Sequence, residues 1–247
     1  MKLAIITGGS KGLGRALVNV YSEAGWQVKE FSRTGSGEHH ISADLSSTSS
    51  VISITDDLFS TLSLHHYDEI LLVNNAGTLT PIRKIASIQN EELLNSLSVN
   101  LLSSVAVINS FIRHFRNVDA QKTVVNISSG AVLKGYPGWS LYCAAKAGCE
   151  NFINSIAEEE QNETHPFTVL NFDPDVMDTD MQAEIRNAEA EHFPPKQRFL
   201  DYHNSGNLRA PIEVAKKLYS LLSDRHGLKA NTLCSKKFVM QSQVVEY

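Results

Sequence analysis

The sequence predicts a single doubly wound α/β domain with a mostly or wholly parallel sheet flanked by helices. Three observations carry that expectation. Short apolar runs recur at residues 3–7, 70–74, 123–128 and 168–172, each continuous rather than alternating, as in strands covered on both faces. Longer amphipathic segments with helical spacing lie between them. A glycine-rich turn, Thr7-Gly8-Gly9-Ser10-Lys11-Gly12-Leu13-Gly14, follows the first run directly and opens a helix.

The elements follow in order. After the glycine turn, Leu13, Leu17, Val20, Tyr21 and Ala24 make a helical stripe closed by Gly25. Residues 27–31 form a weaker strand, and a short third strand precedes Asp44-Leu45. The strand at 70–74 runs into Asn74-Asn75-Ala76-Gly77, at the carboxyl edge where open α/β sheets bind ligands. One long helix carries Leu94, Leu97, Leu101, Val105, Ile108, Ile112 and Phe115 at three- and four-residue steps. Another begins near Tyr142 and reaches Glu158-Glu159-Glu160, read as a solvated helix face. Residues 237–240 make the last strand. Residues 180–210 lack core character, polar and helical at first, then interrupted by Pro194-Pro195 and Gly206. In an enzyme such an excursion covers the substrate; otherwise it is a surface loop without a role. No repeat or linker divides the chain, so residues 1–247 are expected to form one domain.

Composition narrows the function classes. Net charge is −5 and no Lys/Arg block stands out, which argues against nucleic-acid or anionic-membrane partners. Cys143, Cys149 and Cys234 include no Cys-x-x-Cys pair, so a reducing cytoplasm is expected. The amino-terminal run breaks into glycines too early for a secretory segment, and no apolar run approaches the roughly 18 residues of a membrane span. The pairs His39-His40 and His65-His66 lack metal-ligand spacing and are read as surface loops, so no metal is implied.

The chemistry centres on Tyr142-Cys143-Ala144-Ala145-Lys146, with Ser129 thirteen residues upstream. A tyrosine and a lysine four apart share one helix face, so the ammonium is expected beside the phenol. An isolated phenol titrates near about 10, and a neighbouring cation lowers that value toward usable acid–base range. Gly8, Gly12 and Gly14 allow the backbone to approach phosphate at a helix N-terminus. Asn74-Asn75-Ala76-Gly77 reads either as a turn or as a small-residue wall along a cofactor. These elements together predict hydride transfer. Cys143 is expected to be a small packing residue.

Thr-Gly-x-x-x-Gly-x-Gly, Asn-Asn-Ala-Gly and a Ser before Tyr-x-x-x-Lys, in this order over nearly the whole chain, resemble the short-chain dehydrogenase/reductase family. The resemblance implies a Rossmann fold and a catalytic set of Asn100, Ser129, Tyr142 and Lys146. Tyr142 would protonate the carbonyl oxygen as hydride arrives. Lys146 would lower the phenol's pKa and hold the nicotinamide ribose. Ser129, rather than Ser128, would hydrogen-bond the substrate oxygen. Asn100 would anchor a water feeding a proton relay to Lys146; its alternative is a locally bonded core asparagine in an apolar helix.

The same resemblance assigns cofactor contacts to Gly8, Ser10, Lys11, Gly12, Leu13 and Gly14, and to Asn75, Ala76 and Gly77. Asp44 and Leu45 would meet the adenine, with Asp44 accepting from its exocyclic amine. Pro174, the Met177 backbone and Thr179 would fix the carboxamide, with Asp175 standing where the family carries glycine. Phe31-Ser32-Arg33-Thr34 offers no carboxylate to a ribose 2′-hydroxyl, while Arg33 and Lys11 offer cations to a 2′-phosphate. At roughly 1.5–3 kcal/mol per charged contact, about ten- to hundred-fold in preference, NADP(H) is expected over NADH.

Within the family, Gly138-Trp139-Ser140-Leu141-Tyr142-Cys143-Ala144-Ala145-Lys146-Ala147 and Asp178-Thr179-Asp180-Met181-Gln182 resemble the sepiapterin reductase group. That group includes bacterial relatives reducing one carbonyl of a 1,2-diketone such as benzil. Its animal members grip the pterin with a carboxyl-terminal acid, whereas residues 231–247 contain no aspartate and only Glu246 as acid. Trp139, Tyr136, Val132, Phe193 and Phe199 suit a flat apolar ketone, or else pack ordinarily. The expected activity is NADPH-dependent reduction of a ketone or diketone. The alternatives are a pterin side-chain reductase and a non-catalytic NADPH sensor, and the presence of Tyr142 and Lys146 argues against the sensor. Family analogy implies a homodimer or homotetramer paired through the two long helices.

Overall fold

The computed structural model describes residues 1–224, 236–239 and 245–246. In chain order the elements are β1 (Lys2–Thr7), α1 (Gly12–Glu23), β2 (Gln27–Ser32), β3 (His40–Ser42), α2 (Thr48–Leu62) and β4 (Glu69–Asn74). There follow α3 (Asn90–Leu97), α4 (Ser103–Phe115), β5 (Gln121–Ile127), α5 (Ser140–Glu160) and β6 (Phe167–Asp173). The chain continues through α6 (Asp180–Asn187), α7 (Lys196–Asn204), α8 (Pro211–Ser223), β7 (Lys236–Val239) and β8 (Val245–Glu246). The strands form one sheet in the order β3-β2-β1-β4-β5-β6-β7-β8. All pairings are parallel except β7 with β8, so the sheet is mostly parallel. The order reverses between β1 and β4, which opens a crevice at the carboxyl ends of those strands.

Alternate residues of each strand feed two cores. Leu3 and Ile5 of β1 face Phe59, Phe111, Phe115 and Ile153 of α2, α4 and α5. Ala4 and Ile6 face Leu17, Tyr21, Val214 and Leu218 of α1 and α8. At about 1.5–3 kcal/mol per large side chain buried, this double cover explains why the strands read as unbroken apolar runs.

Several expectations need correction. The single long helix is two helices joined by a π-helical turn over Ser98–Leu102. The wide turn takes in an extra residue, and each residue rotates a helix face by about 100°. The predicted stripe is therefore split: Ile108 and Phe115 are buried, whereas Leu94 is 64% exposed. By composition, Asn90–Phe115 is long and apolar enough to cross a membrane, but its α4 half lies against α2 and the sheet.

The acidic end of α5 is not wholly solvated. Glu160 is buried, and its carboxylate accepts from the two terminal Arg116 nitrogens, Nη1 and Nη2, at 2.7 and 2.5 Å, and from the Phe167 N–H at 2.9 Å. His40 is not in a surface loop; it lies on β3 with its ring against Glu30. Residues 180–210 do have core character, since Ile185, Phe193 and Phe199 join Trp139 in a third apolar cluster. The last parallel strand spans Lys236–Val239; Met240, Cys234 and most of residues 231–247 lie outside the described residues.

Candidate active site

Two strand exits build the floor of the crevice. Gly8, at φ +70°, turns the chain off β1 so closely that a Cβ would sit 2.9 Å from Ala76 Cα. At Gly14 a Cβ would come 2.0 Å from the Gly8 carbonyl oxygen, so α1 can pack onto the turn only through glycine. Thr7 Oγ1 accepts from the Asn75 and Ala76 N–H groups at 2.9 and 3.0 Å, and Asn75 Nδ2 donates to Thr7 O at 2.9 Å. The Asn75 side chain therefore fastens the β4 exit to the glycine turn. Neither an acidic first turn nor a capping side chain occupies the start of α1, which leaves its positive end to an anion.

Among the turn residues, Leu13 buries its side chain and presents only backbone, Ser10 is half-buried, and Gly12 approaches Thr179, whose Cγ2 would lie 3.4 Å from a Cβ there. Lys11 is exposed, with Nζ 3.4 Å from Asp180 Oδ2. Arg33 is exposed beside Asp44. The Asp44 carboxyl is held below the usual range, chiefly by the Ser46 N–H at 3.0 Å and in part by the Arg33 charge. Leu45 is buried, and its carbonyl accepts from Ser103 Oγ at 2.7 Å. The tight glycine turn, the uncapped helix start and the two exposed cations fit a dinucleotide phosphate.

The reacting groups meet on the other side of the β4 exit. Tyr142 and Lys146 lie one helical turn apart on the buried face of α5, 8% and 5% exposed. Lys146 Nζ donates to Ile127 O at 2.8 Å and sits 5.8 Å from the Tyr142 ring centre. A Cβ on Gly77 would be 3.1 Å from Asn100 Oδ1 and 3.9 Å from Lys146 Nζ, so the three residues share one corner. The Asn100 side chain clamps Thr78, accepting from its N–H at 2.8 Å and donating to its carbonyl at 2.9 Å.

The two adjacent serines diverge. Ser129 hydrogen-bonds Tyr142, while Ser128 donates to the buried carboxylate of Glu150. Burial pushes the Tyr142 phenol up to about 12; the Ser129 bond opposes this and the Asp173 charge adds to it. Burial also lowers Lys146, with Cys149, Asp173 and Glu150 opposing. This corrects the expectation of a phenol lowered by the lysine: the ammonium bonds a carbonyl, and desolvation dominates.

Sequence reasoning missed Asp173, the carboxyl-terminal residue of β6, whose charge reaches both Tyr142 and Lys146. Its only signal was an acid directly before Pro174. Asp173 Oδ1 accepts from the Asp175 N–H at 3.0 Å, and Asp175 adopts φ +59°, so an aspartate follows the left-handed path a glycine would take. Beyond it, Met177 forms an isolated bridge with Arg209, the Asp178 N–H donates to Arg209 O at 2.9 Å, and Arg209 Nε lies 3.6 Å from Asp175 Oδ2. Pro174, Met177 and Thr179 thus form a neck at which residues 180–208 leave and return.

The excursion closes over aromatic residues. Phe193 stacks on Trp139 at 4.5 Å, while Phe199 and Tyr136 lie 5.4 and 5.3 Å from it. Trp139 meets Tyr142 edge-on at 5.8 Å. Phe193 is fully buried and Phe199 nearly so, so both pack behind Trp139, whereas Val132 and Tyr136 remain half-buried. Cys143 packs at the edge of this cluster, its thiol pushed up by burial.

The profile of the short chain dehydrogenase family matches residues 2–190. The benzil reductase ((S)-benzoin forming) of Bacillus subtilis (strain 168) is 37% identical over 227 residues, covering 90% of this chain and 93% of that protein. The sepiapterin reductase of Xenopus tropicalis is 28% identical over 242 residues, covering 89% and 90%. The crystal structure of the KRED1-Pglu enzyme superposes with a TM-score of 0.77 at 26% identity, covering 93% of this chain and 99% of that one.

Proposed function

Because the chain belongs to the short-chain dehydrogenase family, we propose that it is an NADPH-dependent carbonyl reductase acting on one carbonyl of a 1,2-diketone such as benzil. The observation that carries this reading is the convergence of Tyr142, Ser129 and Lys146 beside the Gly77 wall, next to a glycine cradle shaped for phosphate. When bound, the nicotinamide cofactor supplies the hydride.

In this reading Gly8, Ser10, Gly12, Leu13 and Gly14 receive the pyrophosphate, and Asn75, Ala76 and Gly77 flank the cofactor. Asp44 and Leu45 meet the adenine, and Pro174, Met177 and Thr179 hold the carboxamide. Arg33 and Lys11 face the 2′-phosphate; Lys11 would exchange Asp180 for it. Ser129 holds the substrate oxygen and Tyr142 donates its proton there, so the carbonyl gains a C–H and an O–H bond and becomes an alcohol. Lys146 hydrogen-bonds the ribose and, with that contact made, stabilises the phenolate left behind. The Asn100 side chain is engaged with Thr78 and its main-chain carbonyl accepts from Ser104 Oγ at 3.4 Å and Cys149 Sγ at 3.3 Å, so a relay water held at Asn100 would add to those contacts or replace one of them.

Half-buried Tyr136 and Val132, backed by Trp139, support a flat apolar substrate, as does the similarity to a benzil reductase. A second reading, reduction of a pterin side chain, is favoured by Asp173, which brings an acid to the site that could grip a ring N–H. NADPH consumption measured in parallel with benzil and sepiapterin separates the two. Turnover of benzil with little of sepiapterin supports the diketone reading, and the reverse overturns it. Silence with both, despite NADPH binding, leaves a cofactor sensor. We further propose a cytoplasmic homodimer or homotetramer that covers exposed Leu94 and Leu102, measurable by light scattering.

A further inference from the structure

A buried polar cluster lies behind the adenosine end of the crevice, in no contact with the reacting groups. Glu30 of β2 is 4% exposed. Its Oε1 is 2.7 Å from His40 Nδ1 and accepts from Ser32 Oγ at 3.2 Å, while Oε2 is buried without a partner. A carboxylate can only accept, so His40 holds its ring proton on Nδ1. Ser32 Oγ in turn accepts from the Gly35 N–H at 3.0 Å.

The cluster touches both loops that frame the adenosine. A Cβ on Gly9 would lie 2.6 Å from Glu30 Cβ and 2.9 Å from Oε2, so the glycine turn rests directly on the glutamate. A Cβ on Gly35 would lie 1.9 Å from Glu30 Oε1, 2.4 Å from His40 Nδ1 and 2.8 Å from Ser32 Oγ, so the next loop rests on all three residues. Arg33 and Thr34 span the two anchors, Ser32 and Gly35.

We propose that Glu30, Ser32 and His40 are a positioning unit that sets preference for a 2′-phosphorylated dinucleotide. They hold the Arg33 loop at fixed distance from the glycine turn and keep a carboxylate out of the groove. The proposal rests on the NADP(H) reading of the site. Strand β2 does carry an acid, but His40 and Ser32 tie it beneath Gly9. Released, Glu30 would repel a 2′-phosphate and accept from an unphosphorylated ribose. Loss of His40 therefore separates the two cofactors: it weakens the phosphorylated one and holds or strengthens the other. A residue that only supported folding would weaken both alike.

The test is calorimetric titration of the full chain with NADPH, NADH, 2′,5′-ADP and 5′-AMP. His40→Ala should raise the NADPH and 2′,5′-ADP dissociation constants about tenfold, the scale of one charged contact, and leave NADH and 5′-AMP bound as tightly or more tightly. Adding Glu30→Gln to that variant removes the released charge and should recover most of the lost NADPH affinity. If His40→Ala does not fold, Ser32→Ala, which removes the Gly35 anchor, reads the same ratio. A wild-type protein that prefers NADPH, with variants whose NADPH-to-NADH ratio is unaltered, overturns this proposal alone. A wild-type protein that binds both cofactors equally overturns the cofactor reading and this proposal with it.

Discussion

A single phenol shows how far residue-scale chemistry departs from a motif. The four-residue spacing puts Tyr142 beside Lys146, but burial, invisible in the motif, pushes the phenol up to about 12. At neutral pH the group is therefore protonated before cofactor binds, ready to give a proton rather than take one. Tyr142→Phe should cut turnover on the order of 10² to 10⁴-fold while NADPH still binds, measured by steady-state kinetics and titration. Asp173 raises the phenol further, and its own visibility was poor because an acid before a proline is an ordinary turn signal. Reduction requires the protonated phenol, so activity is present below its pKa and lost as pH rises through it. Asp173→Asn lowers that pKa, and the alkaline limb of the kcat profile should move to lower pH; an unmoved limb would show that the charge does not reach the reacting proton. Asp175 sits at φ +59°, where a Cβ is strained. Asp175→Ala should be less stable than Asp175→Gly by about 1 kcal/mol in urea melts.

Elements were legible where packing follows period and illegible where one residue breaks it. Strands β1, β4, β5 and β6 were found within two residues because both faces are buried. The α3–α4 break was not, since a π-helical turn leaves the composition unchanged while rotating the face. That turn carries Asn100, whose side chain holds Thr78. The acidic end of α5 was misread for a related reason: Glu160 looks solvated until Arg116 and the Phe167 N–H are brought to it. Glu160→Ala removes one partner of a buried pair and orphans that N–H, so it should cost about 3 kcal/mol, measurable as a lower urea midpoint with an unchanged m-value.

For the molecule as a whole, sheet order decides where chemistry occurs. Reversal between β1 and β4 gathers the glycine turn, the Asn75 clamp and the Gly77 corner at one edge, and the motif order along the chain makes that edge legible from sequence. The Glu30–His40 contact was not legible, because partners ten residues apart on neighbouring strands leave no periodic trace. A ligand bound only by the folded state stabilises it by about 2.7 kcal/mol at one hundred times its dissociation constant. Saturating NADPH should therefore raise the melting midpoint by roughly 5–10 °C, at about 2–4 °C per kcal/mol for a chain of this size. The neck at Met177 and Arg209 has a separate consequence. Its two sides are bridged before the excursion begins, so residues 180–208 hang from the sheet as a cassette. Exchanging residues 181–208 for a loop of another length, with Asp180 and both neck residues kept, should change which ketones are accepted and leave dinucleotide affinity where it was.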